Sequence, residues 1–262
     1  MVHKVDFLMK YIKLLLLFST VVVCFHSAIA QPSFIQSQKA NTKIEQIFKQ
    51  KEDTLKKQFI AAKISFPPKQ IYLRSFKYDS ELEVWVRNEV SDSFKLFKTY
   101  KVCALSGSLG PKRIEGDFQV PEGFYHINEF KPNSSYHLSL GINYPNASDE
   151  ILSDSIKPGG DIYVHGGCVT VGCIPVKDNQ IEELYLLASY AKDKGQDFIP
   201  VHIFPVNYNS TRSFRYLALS IKDNKEYQAF AITLQEAFDY FNHYKKIPII
   251  GIGSKGEYYV IK

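Results

Sequence analysis

The stretch HGGCVTVGC, residues 165–173, brings an imidazole, a glycine-rich turn and a thiol into one short loop. A cysteine attacks as the thiolate, and a nearby histidine can both take its proton and stabilise the resulting anion. The residue types in this loop therefore predict a Cys/His nucleophilic site, with acyl transfer as the first reaction to consider.

The residues before the loop predict a strand, and those after it predict a helix. Residues 159–164 are turn residues followed by β-formers, so we expect a strand that ends at His165. Pro175 has no N–H to donate, which excludes residues 174–176 from the centre of a sheet. A helix follows, for which Asp178 suits the N-cap. Its apolar face is predicted to carry Ile181, Leu184, Tyr185 and Ala188.

Cys173 consequently precedes a helix N-terminus, where partial positive charge favours a thiolate at close range. Three interpretations without catalysis compete for the loop. A Cys168–Cys173 disulfide leaves His165 without a role. A metal site on these three side chains lacks a fourth ligand. Buried structural cysteines beside a hydrogen-bonded histidine are the third alternative. We expect neither a metal nor another cofactor.

The N-terminal residues 1–30 have the pattern of a cleaved secretory signal. Three lysines precede the apolar run 14–23, and small residues end the segment at Ala30. The run is too short for a comfortable membrane span. We therefore expect an exported protein of the periplasm or cell envelope. A retained anchor is one alternative, and lipidation at Cys24 is a weaker one because the preceding Val23 is bulky.

Without that segment three cysteines remain, Cys103, Cys168 and Cys173. An odd number in an exported protein leaves at least one thiol unpaired, and catalysis would explain a free thiol. A Cys103–Cys168 disulfide with Cys173 free agrees with the count, although the sequence does not show that these two cysteines are close.

The charge of the chain is mildly positive. The formal net charge of +5 falls to +3 when the three lysines and one aspartate of residues 1–30 are removed. No block of basic residues stands out, so nucleic acid is not an expected partner. Attraction to an anionic cell-wall polymer is compatible with this charge, as is ordinary solubilising charge.

The rest of the chain divides into three regions. Residues 31–69 predict an N-terminal helical segment that ends at the Pro67–Pro68 pair. Residues 70–204 show period-two patterning and predict a mostly β catalytic domain. Residues 205–262 predict a C-terminal subregion with a helix over residues 225–244 and a β-hairpin after it. The predicted strands of the β domain cover residues 71–74, 82–87, 94–102, 121–127 and 198–204.

Three spaced motifs, residues 100–112, 115–125 and 165–173, resemble the YafK-like branch of the YkuD family of L,D-transpeptidases. The resemblance implies a β-sandwich catalytic domain with flanking helices and a C-terminal helix-hairpin appendage. It also implies an exported enzyme of cell wall biogenesis or remodelling. Its substrates would be peptidoglycan stem peptides, attacked at the carbonyl of a meso-diaminopimelate residue.

The same resemblance assigns roles within the loop. Cys173 corresponds to the nucleophile and His165 to the proton donor and acceptor. The carbonyl of Gly166 would orient the imidazole. The backbone around Val171, Gly172 and Cys173 would form the oxyanion hole, where a flexible glycine beside the nucleophile makes physical sense.

The chain departs from most of the superfamily at two positions. Val171 stands where most members have a second histidine, so His165 would act alone. Pro175 stands where an arginine would contact a substrate carboxylate. Lys112 or Arg113 is the replacement that the sequence offers, with ordinary loop charge as the alternative for both.

Two further residues are predicted near the substrate. Tyr163 alternates onto the face of His165, as does Asp161, and both would border the site or simply pack there. Glu122 is either a contact for a substrate amine or a solvated loop carboxylate.

The reaction outcome depends on the acceptor. Transfer to an amine and hydrolysis by water share one acyl-enzyme. The YafK-like branch includes a hydrolytic activity that releases lipoprotein from peptidoglycan, which makes a wall-linked lipoprotein a second candidate partner. The sequence predicts a transferase of this family, with a hydrolytic endopeptidase and a non-catalytic wall-binding module as alternatives.

Overall fold

The computed structural model describes residues 9–10, 12, 31–153 and 157–261. Contacts divide the chain into two units, Met1–Ser33 and Phe34–Lys262. In the first unit, residues 9, 10 and 12 are helical, and the rest of the predicted signal segment, including Cys24, lies outside the described residues. Among the described residues, no helix combines the length and the apolar character needed to cross a membrane.

The second unit is built around one mixed eight-stranded sheet with the strand order β3-β2-β1-β8-β4-β5-β6-β7. The strands are β1 (Gln70–Phe76), β2 (Glu81–Arg87), β3 (Lys95–Lys101), β4 (Gly123–Ser134), β5 (His137–Ile142), β6 (Tyr163–His165), β7 (Ile174–Pro175) and β8 (Ile199–Phe204). Strands β1, β2 and β3 pair antiparallel, as predicted, and β8 pairs parallel to β1 and antiparallel to β4.

In the described part of the unit, six helices and a separate hairpin accompany the sheet. The helices are α1 (Phe34–Lys39), α2 (Thr42–Ala61), α3 (Ala147–Leu152), α4 (Asp178–Asp193), α5 (Thr211–Ser220) and α6 (Lys225–Tyr244). The hairpin pairs β9 (Ile249–Ile252) with β10 (Tyr258–Ile261). Helix α6 and the hairpin agree with the predicted C-terminal helix and turn. Helices α3 and α5 and strand β5 were not predicted.

Alternation along β1 shows how the sheet divides the core. Ile71 and Leu73 join the main apolar cluster with residues of α2 and α4. Tyr72 and Phe76 point to the other face, where they pack with Phe241 and with Phe238 of α6. Because successive side chains of a strand alternate between faces, one strand serves both cores. A mostly β core with flanking helices is therefore confirmed, and helices cover both faces of one curled sheet.

Candidate active site

The two ends of the HGGCVTVGC loop belong to neighbouring strands. Strand β7 runs parallel to β6, with His165 opposite Pro175 and Val164 opposite Ile174. Cys173 precedes β7 by one residue, two positions before Pro175. Since alternate residues of a strand return to the same face, this register brings Cys173 to the face that carries His165. The proline segment forms an edge strand, which agrees with its predicted exclusion from the centre of a sheet.

Strand β6 holds the Cys173 thiol in place through its main chain. The N–H of Tyr163 donates to Cys173 Sγ at 3.4 Å, and the thiol lies 3.6 Å from the carbonyl oxygen of Asp161. The thiol is half-buried. Burial raises its pKa, the Tyr163 N–H lowers it, and the Asp161 charge raises it, with a net increase.

The His165 ring is buried, with 1% of the residue exposed. Its Nδ1 bonds to the carbonyl oxygen of Gly166, and the ring packs on Tyr136 with the centroids 4.7 Å apart. A carbonyl oxygen only accepts, so Nδ1 carries the hydrogen and Nε2 keeps its lone pair. Burial lowers the pKa of His165, an effect that the Gly166 bond only partly opposes. The imidazole is therefore a neutral base at neutral pH.

Together these pKa shifts describe a neutral thiol beside a neutral imidazole. This differs from the sequence expectation that a helix N-terminus would favour the thiolate. Helix α4 begins only at Asp178, and burial of the thiol dominates its pKa. Any reaction of the Cys173 sulfur would therefore start from the protonated thiol.

Asp178 has a different role from the predicted N-cap. Lys177 occupies the cap position and Asp178 is the first helical residue. Its Oδ1 accepts the N–H of Gly167 at 2.8 Å. A Cβ at Gly166 would lie 2.5 Å from the same oxygen, so only glycine fits there. The carboxylate thus ties the start of the catalytic loop to helix α4.

The turn before Cys173 is held together by hydrogen bonds of the Thr170 side chain. The Thr170 hydroxyl accepts the N–H of Gly172 at 3.0 Å and donates to the carbonyl oxygen of Cys173 at 2.8 Å. Gly172 has φ +139°, and a Cβ there would lie 2.9 Å from the carbonyl oxygen of Gln119. Val171 is exposed. The Gly172 N–H, one of the predicted oxyanion-hole donors, is therefore bonded to the Thr170 hydroxyl in this structure.

Cys103 and Cys168 form a disulfide, with their Cα atoms 5.3 Å apart. Cys173 is the free cysteine of the residues that the structure describes. The Cys168–Cys173 disulfide is therefore wrong. The proposed metal site is also wrong, because Cys168 has no thiolate to offer. In residues 31–153 and 157–261, no group of three His, Cys, Asp or Glu side chains could hold a metal ion.

The cations predicted to replace the missing arginine have internal partners. The Lys112 ammonium is buried, where it pairs with the Asp117 carboxylate and donates to the carbonyl oxygen of Ile114. Arg113 pairs with Asp149 at 2.9 Å. The Lys112–Asp117 pair lies within the loop before β4, and the Arg113–Asp149 pair joins that loop to helix α3.

Glu122 matches neither of its predicted roles, because it is fully buried. Its carboxylate lies 3.1 Å from the Lys77 ammonium and accepts the N–H of Gly110 at 2.8 Å and the hydroxyl of Tyr227 at 2.7 Å. It is a structural carboxylate rather than a substrate contact.

Tyr163 lies where the alternation argument placed it, and it brings residues that the sequence did not single out. Its hydroxyl bonds to Glu129 at 2.9 Å and lies 3.3 Å from the Asp161 carboxylate. The Lys131 ammonium is 3.4 Å from the same hydroxyl. No sequence signal marks Glu129 or Lys131, because their proximity depends on the pairing of β4 with β5 and of β5 with β6.

Residues 81–203 match the YkuD family, described as the L,D-transpeptidase catalytic domain. The chain is 32% identical over 194 residues to YafK of Escherichia coli K12, itself assigned only provisionally as an L,D-transpeptidase. That alignment covers 73% of this chain and 74% of the relative. The chain belongs to the YkuD family of L,D-transpeptidases.

Other relatives of this YkuD-family chain vary in distance. YafK of Escherichia coli O157:H7 shows the same identity and coverage as the K12 protein. The crystal structure of Pgp2, a helical cell shape determining protein of Campylobacter jejuni, superposes with a TM-score of 0.42 at 20% identity, covering 70% of this chain and 73% of that one. So distant a superposition carries no argument. Family membership makes this chain a cell-wall enzyme of a family that acts on peptidoglycan.

Proposed function

We propose that this chain is an exported cysteine enzyme that acts on peptidoglycan stem peptides through an acyl-enzyme on Cys173. The carrying observation is the free Cys173 thiol on the same sheet face as His165, whose Nδ1–H is fixed and whose Nε2 is a free base. Nucleophile, base and an orienting carbonyl are the groups that cysteine acyl transfer requires.

The proposed reaction begins with attack of Sγ on the peptide carbonyl carbon of diaminopimelate. His165 Nε2 takes the thiol proton as the C–S bond forms, and the carbonyl oxygen becomes an oxyanion. Backbone N–H groups of Val171, Gly172 and Cys173 would bind it, and the Gly172 N–H would exchange its Thr170 partner for the stronger acceptor.

Collapse of this intermediate breaks the C–N bond. The imidazolium returns the proton to the departing amine and a thioester remains on Cys173. An amine acceptor then gives a transpeptidation product and water gives a hydrolysed peptide. In either case the attacking acceptor loses its proton to His165 and the thiol is regenerated.

The test incubates the purified full chain with a disaccharide tetrapeptide that contains diaminopimelate. Intact mass reports the thioester, and chromatography reports crosslinked, exchanged or hydrolysed peptide. We expect a thioester and product with the native chain and neither with Cys173→Ala. His165→Gln should slow the reaction at least about a hundredfold, whereas His243→Gln, at an exposed position on α6, should leave it unchanged.

The products distinguish the alternatives. Crosslinked or exchanged peptide supports the transferase, and hydrolysed peptide alone supports a hydrolase. Release of peptide from a lipoprotein-linked muropeptide would support the endopeptidase. Turnover that survives in Cys173→Ala would refute the nucleophile. Binding to peptidoglycan without any thioester would support the non-catalytic wall-binding module and overturn the proposal.

Export has a separate test. N-terminal sequencing of the protein recovered from the cell envelope should begin at Gln31, after the predicted signal segment 1–30. Recovery of an intact N-terminus from the cytoplasmic fraction would contradict export.

A further inference from the structure

On the sheet face that carries the proposed nucleophile Cys173, a row of paired positions runs across strands β6, β5 and β4. Strand β5 places Gly141 opposite Tyr163 and Ser139 opposite His165. Strand β4 in turn places Glu129 opposite Gly141 and Lys131 opposite Ser139. Because paired residues of adjacent strands point to the same side, Glu129 and Lys131 share the face of the proposed catalytic histidine.

Tyr163 connects this row to the thiol. Its main-chain N–H bonds to Cys173 Sγ, while its ring extends over strand β5, where a Cβ at Gly141 would meet the ring at 3.2 Å. Gly141 thus leaves the space in which the ring lies. The phenol reaches Glu129 on β4, so one side chain runs from the nucleophile to charges two strands away.

The charges around the Tyr163 hydroxyl are of both signs. Glu129 accepts from it at 2.9 Å, and the Lys131 ammonium lies 3.4 Å from it and 4.9 Å from the ring centre. Both charged residues are exposed. Among the described residues, no carboxylate lies within 4.0 Å of the Lys131 ammonium. By contrast, the Lys112 ammonium and the Arg113 guanidinium each pair with a carboxylate. Lys131 is therefore available to an anion.

We propose that Lys131 and Glu129, on either side of the Tyr163 hydroxyl, bind the carboxylate and the ammonium of the free amino-acid end of diaminopimelate. This inference rests on the proposed function and deepens it. Diaminopimelate has two amino-acid ends. The peptide carbonyl attacked by Cys173 belongs to one end, and the other end is a zwitterion when it is not crosslinked.

The spacing suits this assignment. A three-methylene arm of about 5 Å separates the two ends of diaminopimelate, and adjacent strands are about 4.8 Å apart. The arm therefore spans about one strand spacing, so a carbonyl attacked over β6 puts the free end over β5. The side chains of Glu129 and Lys131 extend there from β4 to the Tyr163 hydroxyl. The Tyr163 hydroxyl, between the two charges, can bond to either head group. Such pairing of two charges selects against neutral or singly charged side chains at this position.

The test compares two disaccharide tetrapeptides, one with the free side-chain carboxylate and one with that carboxylate amidated. The native chain should form its Cys173 thioester about tenfold to a hundredfold faster, as kcat/KM, on the free acid. Lys131→Gln should lose that preference by slowing only on the free acid. Lys131→Arg should keep the preference, and so should Lys101→Gln, an exposed lysine on β3.

Glu129→Gln provides the reciprocal arm with a tetrapeptide whose free side-chain amine is acetylated. This variant should lose the preference for the free amine and keep the preference for the free carboxylate. Equal slowing on all substrates would show a structural role for either residue and overturn the inference. Equal rates of the native chain on free and amidated substrates would also overturn it, with the proposed function intact. No thioester on any substrate would refute the proposed function itself.

Discussion

At the scale of single residues, Cys173 and His165 rest in their neutral forms because both are shielded from water. Burial raises the pKa of the thiol and lowers that of the imidazole. The pKa of the thiol lies above its usual value and the pKa of the imidazole lies below its usual value. The two groups therefore do not form a thiolate–imidazolium pair before substrate binds. In the proposed reaction, the thiol proton moves to His165 Nε2 only as the sulfur bonds to the carbonyl carbon of the bound substrate.

This protonation state predicts the pH dependence of alkylation. Only the thiolate reacts with iodoacetamide, so the labelling rate of Cys173 should rise with a midpoint above that of N-acetylcysteine in the same buffer. Mass spectrometry of the labelled peptide provides the measurement. A midpoint below that of N-acetylcysteine would indicate a resting ion pair and contradict the neutral assignment.

The acidic limb of the activity profile follows from His165. A lowered pKa means that the ring stays neutral, and so remains a base, until the pH falls below the value of 6.5 for an unperturbed histidine. The kcat/KM of the free enzyme should consequently decline on the acidic side with a midpoint below pH 6.5. A decline centred above 6.5 would show that another group controls this limb.

Gly172 combines a backbone requirement with a space requirement. At φ +139° a side chain is strained, and a Cβ would lie 2.9 Å from the Gln119 carbonyl oxygen. Gly172→Ala should therefore shift the turn and reduce kcat at least about tenfold. Gly160→Ala is the matched control, because a Cβ there meets nothing within 4 Å. Equal activity of the two variants would show that the turn absorbs the change.

At the scale of elements, the disulfide joins the two edges of the curled sheet. Cys103 follows edge strand β3, and its N–H bonds to the carbonyl oxygen of Pro175 in edge strand β7 at 3.0 Å. Cys168 lies in the catalytic loop next to β7. The bond therefore ties the loop that carries the nucleophile to the opposite edge, and it leaves Cys173 as the only thiol among the described residues.

Removal of this bond should lower stability substantially. It links residues 65 apart in sequence, for which the loop-entropy relation gives about 4 kcal/mol. The double variant Cys103→Ser/Cys168→Ser should show that loss of unfolding free energy in urea titration. Cys173→Ser, which keeps the disulfide, serves as the control. An unchanged midpoint in the double variant would show that the sheet edges hold together without it.

At the scale of the whole unit, a buried ion pair connects the C-terminal helix to the loop beside the nucleophile. Tyr227 of α6 donates to Glu122, and the Lys77 ammonium that pairs with Glu122 also donates to the carbonyl oxygens of Gly110 and Val120. That loop contains Gln119, whose carbonyl oxygen lies next to Gly172. The C-terminal subregion thus supports the site from a distance.

Loss of one hydroxyl tests this support. Tyr227→Phe removes one partner from a fully buried carboxylate and should cost about 1–3 kcal/mol of unfolding free energy. Tyr244→Phe, at an exposed position on the same helix, should cost close to nothing. Thermal denaturation of both variants decides the matter, and equal melting temperatures would mean that water or another group replaces the hydroxyl.

The sequence patterns that succeeded were those repeated over many residues. Helix α6 has the bounds predicted from its apolar spacing, and β1, β2 and β3 follow their period-two runs. Helix α5 was missed although it is amphipathic; it is only 10 residues long and buries Ser213 and Leu217. Strand β5 was also missed, although polar or small residues alternate along it with Leu138, Leu140 and Ile142.

The sequence alone determined which residues form the candidate centre, because His165 and Cys173 are close in the chain and their residue types limit the chemistry they can support. Tertiary structure alone decided which cysteine pairs with Cys168 and which protonation states the pair adopts. It also decided that Glu129 and Lys131 stand beside Tyr163. These three outcomes depend on the pairing of strands that are distant in sequence or on the exclusion of water. The local spacing of residues encodes neither the pairing nor the exclusion.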